Sequence, residues 1–343
     1  MSSANLDSAD LKSVKSGGLI REDVMDKIWD ISKIPLPFTD CVGSSSSKQS
    51  KIEWTQDTLA QPDITNAVID GSDAVGNDTA VGQRVSNEHQ ISTKVVRVSY
   101  RADASDTIGR AKELSYQIMR RQQELRRDVE AICLSNQASV PDDGTSVAGK
   151  VGTLPSWIET SAFNGTPGGY DLTTGQTIAR TPGTAVAVTE DNLRDAVESC
   201  YNEGGNPTKL MTTPSIVRKI SEYLFTSSAR VATLYSDQGK SAEKATALGS
   251  VNVFVTDFGT LHLVPNRLQQ TYLASSKTAA DIFILDTEYL KLRYLKGYQT
   301  DKLAKTGLSE NRHMSVDWSL EVGTEKAHAM ISDIDYALDM TTS

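Results

Sequence analysis

Between Glu53 and Glu88 the chain holds seven acidic residues against a single basic one, Arg84, and no aromatic side chain occurs between Trp54 and Tyr100. This stretch carries two thirds of the net charge of −9 and has little with which to fill a core of its own. Its flanks alternate as strands do: Lys51 to Asp57 before it, and Ile91 to Tyr100 after it, with Val95, Val96, Val98 and Tyr100. A solitary hairpin is marginally stable in water. A structureless loop longer than about 15 residues is uncommon in a compact domain, and is then functional or disordered. Two readings stay open: a disordered acidic loop, or a long hairpin that becomes ordered by lying on a neighbouring subunit.

The segments on either side are equally incomplete as domains. Residues 1–50 are Ser-rich at both ends, with one amphipathic stretch from Ile20 to Ile34 that stops at Pro35 and Pro37. A lone helix of that length must pack on something else, so 1–50 reads as an arm. After the acidic hairpin (51–100) comes the strongest helical pattern, about Ala104 to Gln137, capped by Ser105 or Asp106. Ile108, Ala111, Leu114, Ile118, Leu125, Val129, Ile132 and Cys133 share one face, and Arg110, Arg120, Arg121 and Arg127 lie opposite. The stripe is a solvated face supported by pairs such as Arg126 with Glu130, or a contact for phosphate backbones.

From Pro141 to Thr189, 12 of 49 residues are glycine or proline, which marks a turn-rich insertion (141–188). Helical spacing over Asp191 to Asn202 and Pro214 to Phe225, and a hairpin from Val251 to Val264, define an α/β domain at 189–275. The closing part (276–343) reads as strands at Ile282 to Leu285, Tyr289 to Leu295 and His313 to Val322. The last alternates cleanly, with Met314, Val316, Trp318, Leu320 and Val322 on one side.

Composition removes several classes. With 38% hydrophobic residues the chain can build cores, while a pI near 5.1 disfavours a generally basic nucleic-acid binder. No apolar run approaches the ~18 residues a membrane span needs, and three scattered cysteines argue for a reducing compartment. The expectation is a soluble protein made in the cytoplasm. Gly144 to Val151 resembles a phosphate-binding loop up to its last position, where Val151 replaces the hydroxyl that holds Mg²⁺. Asp142 and Asp143 before it, and Gly152 and Pro155 after it, also disfavour that use. The four histidines lie far apart, and no nucleophile motif occurs. Catalysis is unsupported, and no cofactor or metal is implied.

Arm, long hairpin, long helix, α/β domain and closing strands resemble, in that order, the major capsid proteins of tailed phages, an α+β architecture called the HK97-like fold. Three stretches carry the likeness to a podovirus-type group of head proteins: Gly17 to Met25, Val151 to Ile158, and Leu303 to Leu308 with Trp318 to Ala329. The resemblance implies an N-terminal arm, an extended loop (the E-loop), a spine helix (101–140) of a peripheral domain and an axial α/β domain, with the closing strands in the peripheral domain. It also implies hexamers and pentamers in an icosahedral head around double-stranded DNA. Scaffolding and portal proteins, and an accessory decoration protein, are the implied partners. Arg110, Arg120, Arg121 and Arg127 are then candidates to face the lumen and touch DNA without reading sequence. Trp54, Asp57, Asp63 and Arg84 are candidate inter-subunit contacts of the loop. Some family members crosslink through a loop lysine; between Ile52 and Thr93 this chain has none, so its shell is expected to be non-covalent. Other readings are an encapsulin-like nanocompartment shell, an α/β enzyme with a Gly/Pro-rich lid, or a DNA-binding module built on the arginine helix.

Overall fold

The computed structural model describes residues 35–73, 82–105, 112–226, 253–305 and 307–341. The predicted arm helix at 20–34, together with Ile108, Arg110 and Ala111, lies outside these residues. One sheet has the order β1-β13-β14-β4, formed by Gly43–Ser46, Leu290–Lys302, Ser309–Val322 and Gln90–Ser99. β1 runs parallel to β13 and the other pairs are antiparallel. The alternation read in β14 is what fixes its orientation. Met314, Val316, Trp318, Leu320 and Val322 are all buried, and Leu125, Val129 and Cys133 of the long helix join them in one core.

That helix, here α3, spans Glu113–Cys133. At 1.5 Å per residue it is about 32 Å long, shorter than the pattern from Ala104 to Gln137 predicts. Local chemistry accounts for both differences. A five-residue helix, α2 (Tyr100–Ala104), starts where the strand was expected to end, because Ser99 leaves its hydroxyl to accept from Ala102 N–H. Ser105 then returns to extended backbone. At the other end Leu134 leaves the helical region, and the Ser135 hydroxyl donates to the Ile132 carbonyl.

The second sheet is larger: β5-β15-β12-β8-β10-β9, with β11 also on β12. Its strands are Ala162–Phe163, Ala329–Asp335, Lys277–Leu285, Lys209–Thr212, Gly259–Pro265, Val253–Thr256 and Tyr272–Ala274. Helices α5 (Glu190–Asn202) and α6 (Pro214–Thr226) flank it, α5 capped by the Thr189 hydroxyl. Leu193, Val197, Ile216 and Ile220 pack there against Leu210, Phe254, Ile282 and Ile331. The expected division at residue 276 therefore differs from sheet membership. β12 and β15 belong to the α/β sheet, and only β13 and β14 of the closing strands join the four-stranded one. The reason is that β12 is apolar enough to be buried as a central strand, and β15 pairs along it with its buried Asp333 met by Arg180 and Tyr272.

The Gly/Pro-rich insertion is likewise no appendage. Every residue from Val151 to Ile158 is buried, including the short helix α4 (Leu154–Trp157). Glycine is needed in that string for close approach: a Cβ on Gly152 would collide with the Thr177 side chain. A small hairpin, β6 (Gly169–Asp171) with β7 (Gln176–Ile178), closes over it. The loop resembling a phosphate site is an exposed turn, in which Asp143 accepts from the backbone N–H of Thr145, Ser146 and Val147. Those bonds hold its carboxyl well below the ordinary range and occupy it.

Candidate assembly interface

The acidic stretch begins and ends as a hairpin. β2 (Lys51–Gln56) pairs antiparallel with β3 (Gln83–Glu88), from Lys51↔Glu88 to Gln56↔Gln83. The return strand is thus β3 and not the later run at Ile91, which continues as β4 in another sheet. Buried polar bonds clamp the hairpin's base. The Asn87 side chain donates to the carbonyls of Gly152 and Leu320 at 2.9 and 2.7 Å, and accepts from Gly152 N–H at 2.8 Å. Gln56 donates to the Gly323 carbonyl at 2.8 Å. His89 sits between Asp317 and Ser47, 3.1 Å from each, and burial lowers its pKa.

Beyond the clamp the chain is bare. All residues from Asp57 to Asp73 are exposed, and Leu59, Ile64, Val68 and Ile69 show 98%, 94%, 84% and 82% of their surfaces. Asp57, Asp63, Asp70 and Asp73 are interleaved with them, and no cation occurs in this span. Asp63 is held below its usual pKa by bonds from the Thr65 hydroxyl and N–H, so it stays charged. Fully burying one Leu or Ile side chain is worth about 1.5–3 kcal/mol. Four of them would give roughly 6–12 kcal/mol gross, before ordering costs, if a second surface covered them. Isolated exposed apolars are ordinary, but a run of them on a protruding strap marks an interaction site.

The sequence-selected residues divide between base and strap. Asp57 and Asp63 stand on the strap, and Arg84 pairs across the hairpin with Glu53. Trp54 belongs to its own subunit's core edge: its ring lies 5.3 Å from Trp157, which stacks at 5.3 Å on Tyr170. Its position facing inward on β2 explains this, since Ile52 and Trp54 share a face. The arginine stripe also separates. Arg120 is exposed with its guanidinium over Tyr116, Arg121 pairs with Glu124, and Arg127 is half-buried with its Nε out of reach of solvent.

The expected Arg126–Glu130 pair does not form. Arg126 lies over Tyr298, and Glu130 is fully buried where the arm joins the fold. Its carboxylate accepts from the N–H of Phe38 and Thr39, each at 2.7 Å, from the Thr39 hydroxyl, and from Asn266 Nδ2 at 2.7 Å. Phe38 and Thr39 lie in the first turn of α1 (Pro37–Cys41), so Glu130 supplies from α3 the anion that a helix N-terminus attracts. Sequence spacing alone pointed Glu130 at Arg126; the only other signal was Pro37 at the start of a short helix.

The subunit thus combines a four-stranded and a larger α/β sheet with a long helix, an anchored arm base and an uncovered strap. Solved capsids share this HK97-like fold. The chain superposes on the capsid of a native GTA particle with a TM-score of 0.60 at 11% identity, covering 96% of this chain and 100% of that one. For the cyanophage Pam1 capsid the values are 0.57 and 13%, with coverage of 98% and 100%. The SrpI encapsulin of Synechococcus elongatus gives 0.53 and 12%, with 95% and 97% covered. The chain belongs to the SU10 major capsid protein family, whose sequence pattern it matches over residues 5–335. A curated relative, the major capsid protein of Escherichia phage Phieco32, is 40% identical over 102 residues. That match spans 30% of this chain and 29% of the relative.

Proposed function

We propose that copies of this chain assemble as hexamers and pentamers into the icosahedral head of a tailed phage, around double-stranded DNA. The observation that carries this reading is the strap at 57–73, in which four exposed large apolar side chains are interleaved with four carboxylates beyond a hydrogen-bonded hairpin. Many modest contacts of this kind add up in a closed shell, because each subunit is gripped several times. Membership of a capsid protein family supports the structural role. A scaffolding protein and a portal are the partners such assembly needs, and DNA contact would be sequence-independent and salt-sensitive, with exposed Arg120 as its first candidate.

The test is to replace residues 58–73 by a short Gly/Ser linker. The variant is expected to remain a folded subunit, with a thermal transition within roughly 2 °C of the parent because exposed surface contributes little to monomer stability. It should yield no closed particles in electron micrographs, where the parent does. Normal particles from the variant would refute the strap's role. Denaturing electrophoresis of parent particles should show a single band near 37.2 kDa, as the lack of a loop lysine between Ile52 and Thr93 requires. Nuclease-protected DNA inside purified heads checks the cargo; protein cargo in its place would favour a nanocompartment.

A further inference from the structure

His89 joins β3 to β4, and its ring lies between two side chains from distant parts of the sequence. Nδ1 is 3.1 Å from Asp317 Oδ1 on β14, and Nε2 is 3.1 Å from the Ser47 hydroxyl, just beyond β1. The backbone holds all three in place. Ser47 N–H donates to the Tyr294 carbonyl at 2.8 Å, His89 N–H donates to the Ser50 carbonyl at 3.1 Å, and Asp317 is paired in the sheet with both Ile91 and Lys296. The His89 and Asp317 side chains are 4% and 14% exposed, while Ser47 is only half-buried, within reach of a ligand. Asp317 decides the tautomer: a carboxylate only accepts, so the neutral ring carries its proton on Nδ1 and leaves Nε2 as an acceptor. The Ser47 hydroxyl is then the donor to Nε2. The Gln49 carbonyl, at 3.0 Å, competes for the same proton, and Gln49 N–H donates back to Ser47 Oγ at 3.4 Å. Burial outweighs the neighbouring carboxylates Asp317 and Glu88 and keeps the ring neutral at pH 7, Glu88 being itself matched to Lys51 at 3.2 Å.

We propose that Ser47, His89 and Asp317 form a nucleophilic triad, and that Ser47 accepts acyl groups from carboxylic esters. A nucleophile bonded to a base, with the base bonded to an orienting acid, is the arrangement that activates a serine, whatever the fold or the order in the chain. Ser47 Oγ attacks the ester carbonyl carbon as its proton passes to His89 Nε2. The C–O bond to the alcohol then breaks, and the departing alcohol takes that proton. The products are the alcohol and an acyl ester of Ser47, with Asp317 stabilising the imidazolium between the two steps. The Ser47 N–H is engaged by the Tyr294 carbonyl and so is not free to hold an oxyanion. Lacking one such donor slows acyl transfer by about 10²–10³-fold. The triad therefore fits a slow, accessible modification site rather than a fast hydrolase. Arg293, which donates to the Ser46 carbonyl at 3.4 Å, brings positive charge within one residue of the nucleophile. Shell assembly does not require this chemistry.

A fluorophosphonate probe, which phosphonylates activated serines, tests this on the purified full-length chain. Peptide mapping by mass spectrometry should place the adduct on Ser47, and its rate should rise with pH to a midpoint below 6.5, as the ring loses its proton. Ser47→Ala should remove the adduct, and His89→Gln should slow its formation at least tenfold. Asp317→Asn should slow it too while moving the midpoint downwards, because Asp317 favours the protonated ring. Ser47→Cys keeps the imidazole and its bridge, so it gives a second reading even where His89→Gln fails to fold. Its alkylation by iodoacetamide, mapped to that position, should have a midpoint well below about 8.5, the ordinary thiol value. An adduct on Ser47 that His89→Gln does not slow would overturn the triad. So would the absence of any adduct on Ser47, together with an ordinary thiol midpoint in Ser47→Cys, and His89 would then be a structural bridge alone.

Discussion

Replacing Arg180 by methionine is expected to cost about 3–5 kcal/mol of stability, the usual consequence of stripping one partner from a buried ion cluster. The Arg180 side chain is 1% exposed and lies between two buried carboxylates, 2.9 Å from Asp281 and 3.2 Å from Asp333. Tyr272 adds its hydroxyl against both acids, and the Arg180 guanidinium stacks over its ring at 4.9 Å. Methionine would leave two carboxylates facing each other in a site that water does not reach. The pH dependence separates electrostatics from shape. Burial raises the pKa of Asp281, and Arg180 is the largest opposing influence. A raised folded value means that the folded chain holds this proton more tightly, so the contribution is favourable at low pH and is lost as pH rises through that value. Without Arg180 the shift grows. The gap in urea-unfolding free energy between parent and variant should therefore be small near pH 4 and widen towards pH 7. The gap is the quantity to follow, because His328, driven down to about 3 by burial, makes both proteins less stable as pH falls below its ordinary value of 6.5. A gap independent of pH would mean that the cost is packing. Asp281→Asn in the Arg180→Met background should recover part of the loss at neutral pH, since it removes one of the two stranded charges.

That cluster also shows where sequence patterns stop being informative. β14 could be read directly because one of its faces is apolar and the other polar, and the structure buries the apolar one. β15 has no such asymmetry: all seven residues from Ala329 to Asp335 are buried, Ser332, Asp333 and Asp335 among them. Its polar positions are tolerable only because Arg180, far away in sequence, and Tyr272 meet Asp333, which also takes a positive φ of 59°. Pairings of this range leave no local trace. The strap is the opposite case. Its lack of aromatics and its one-sided charge are local properties, so an uncovered acidic hairpin could be anticipated from composition. Which strand closes it could not, since β3 and β4 are separated only by His89 and both have strand character. Of the arginines of α3, Arg120 is exposed, Arg121 pairs with Glu124 at an i,i+3 spacing already present in the sequence, and Arg127 is half-buried, which helical period alone does not show.

Glu130→Ala is expected to detach the arm base from the helix, with a loss of about 3–5 kcal/mol. Hydrogen bonds to a charged group are worth roughly 1.5–3 kcal/mol each, and donors left buried without a partner add their own desolvation penalty. Alanine would strand the N–H groups of Phe38 and Thr39 and the amide of Asn266 together. Three parts of the molecule meet at this carboxylate: the arm base in α1, the last turn of α3, and the loop after β10 that holds Asn266. Phe38, whose side chain is fully buried in the first core, is the apolar half of the same anchor. Removing the polar half should free residues 36–46 before the rest unfolds, because α1 is too short to persist without its cap. Amide exchange at Phe38 and Thr39 should accelerate at least tenfold, and a protease should gain a cut at Lys48 in otherwise folded protein. Glu130→Gln distinguishes the anion from the shape: it keeps one acceptor oxygen but turns an NH₂ towards the remaining donors, so it should fall between parent and alanine. A glutamine variant as stable as the parent would show that one acceptor suffices and that the charge is incidental. If both variants keep slow exchange at Phe38 and Thr39, the arm base is held by Phe38 packing alone, and Glu130 is not its anchor.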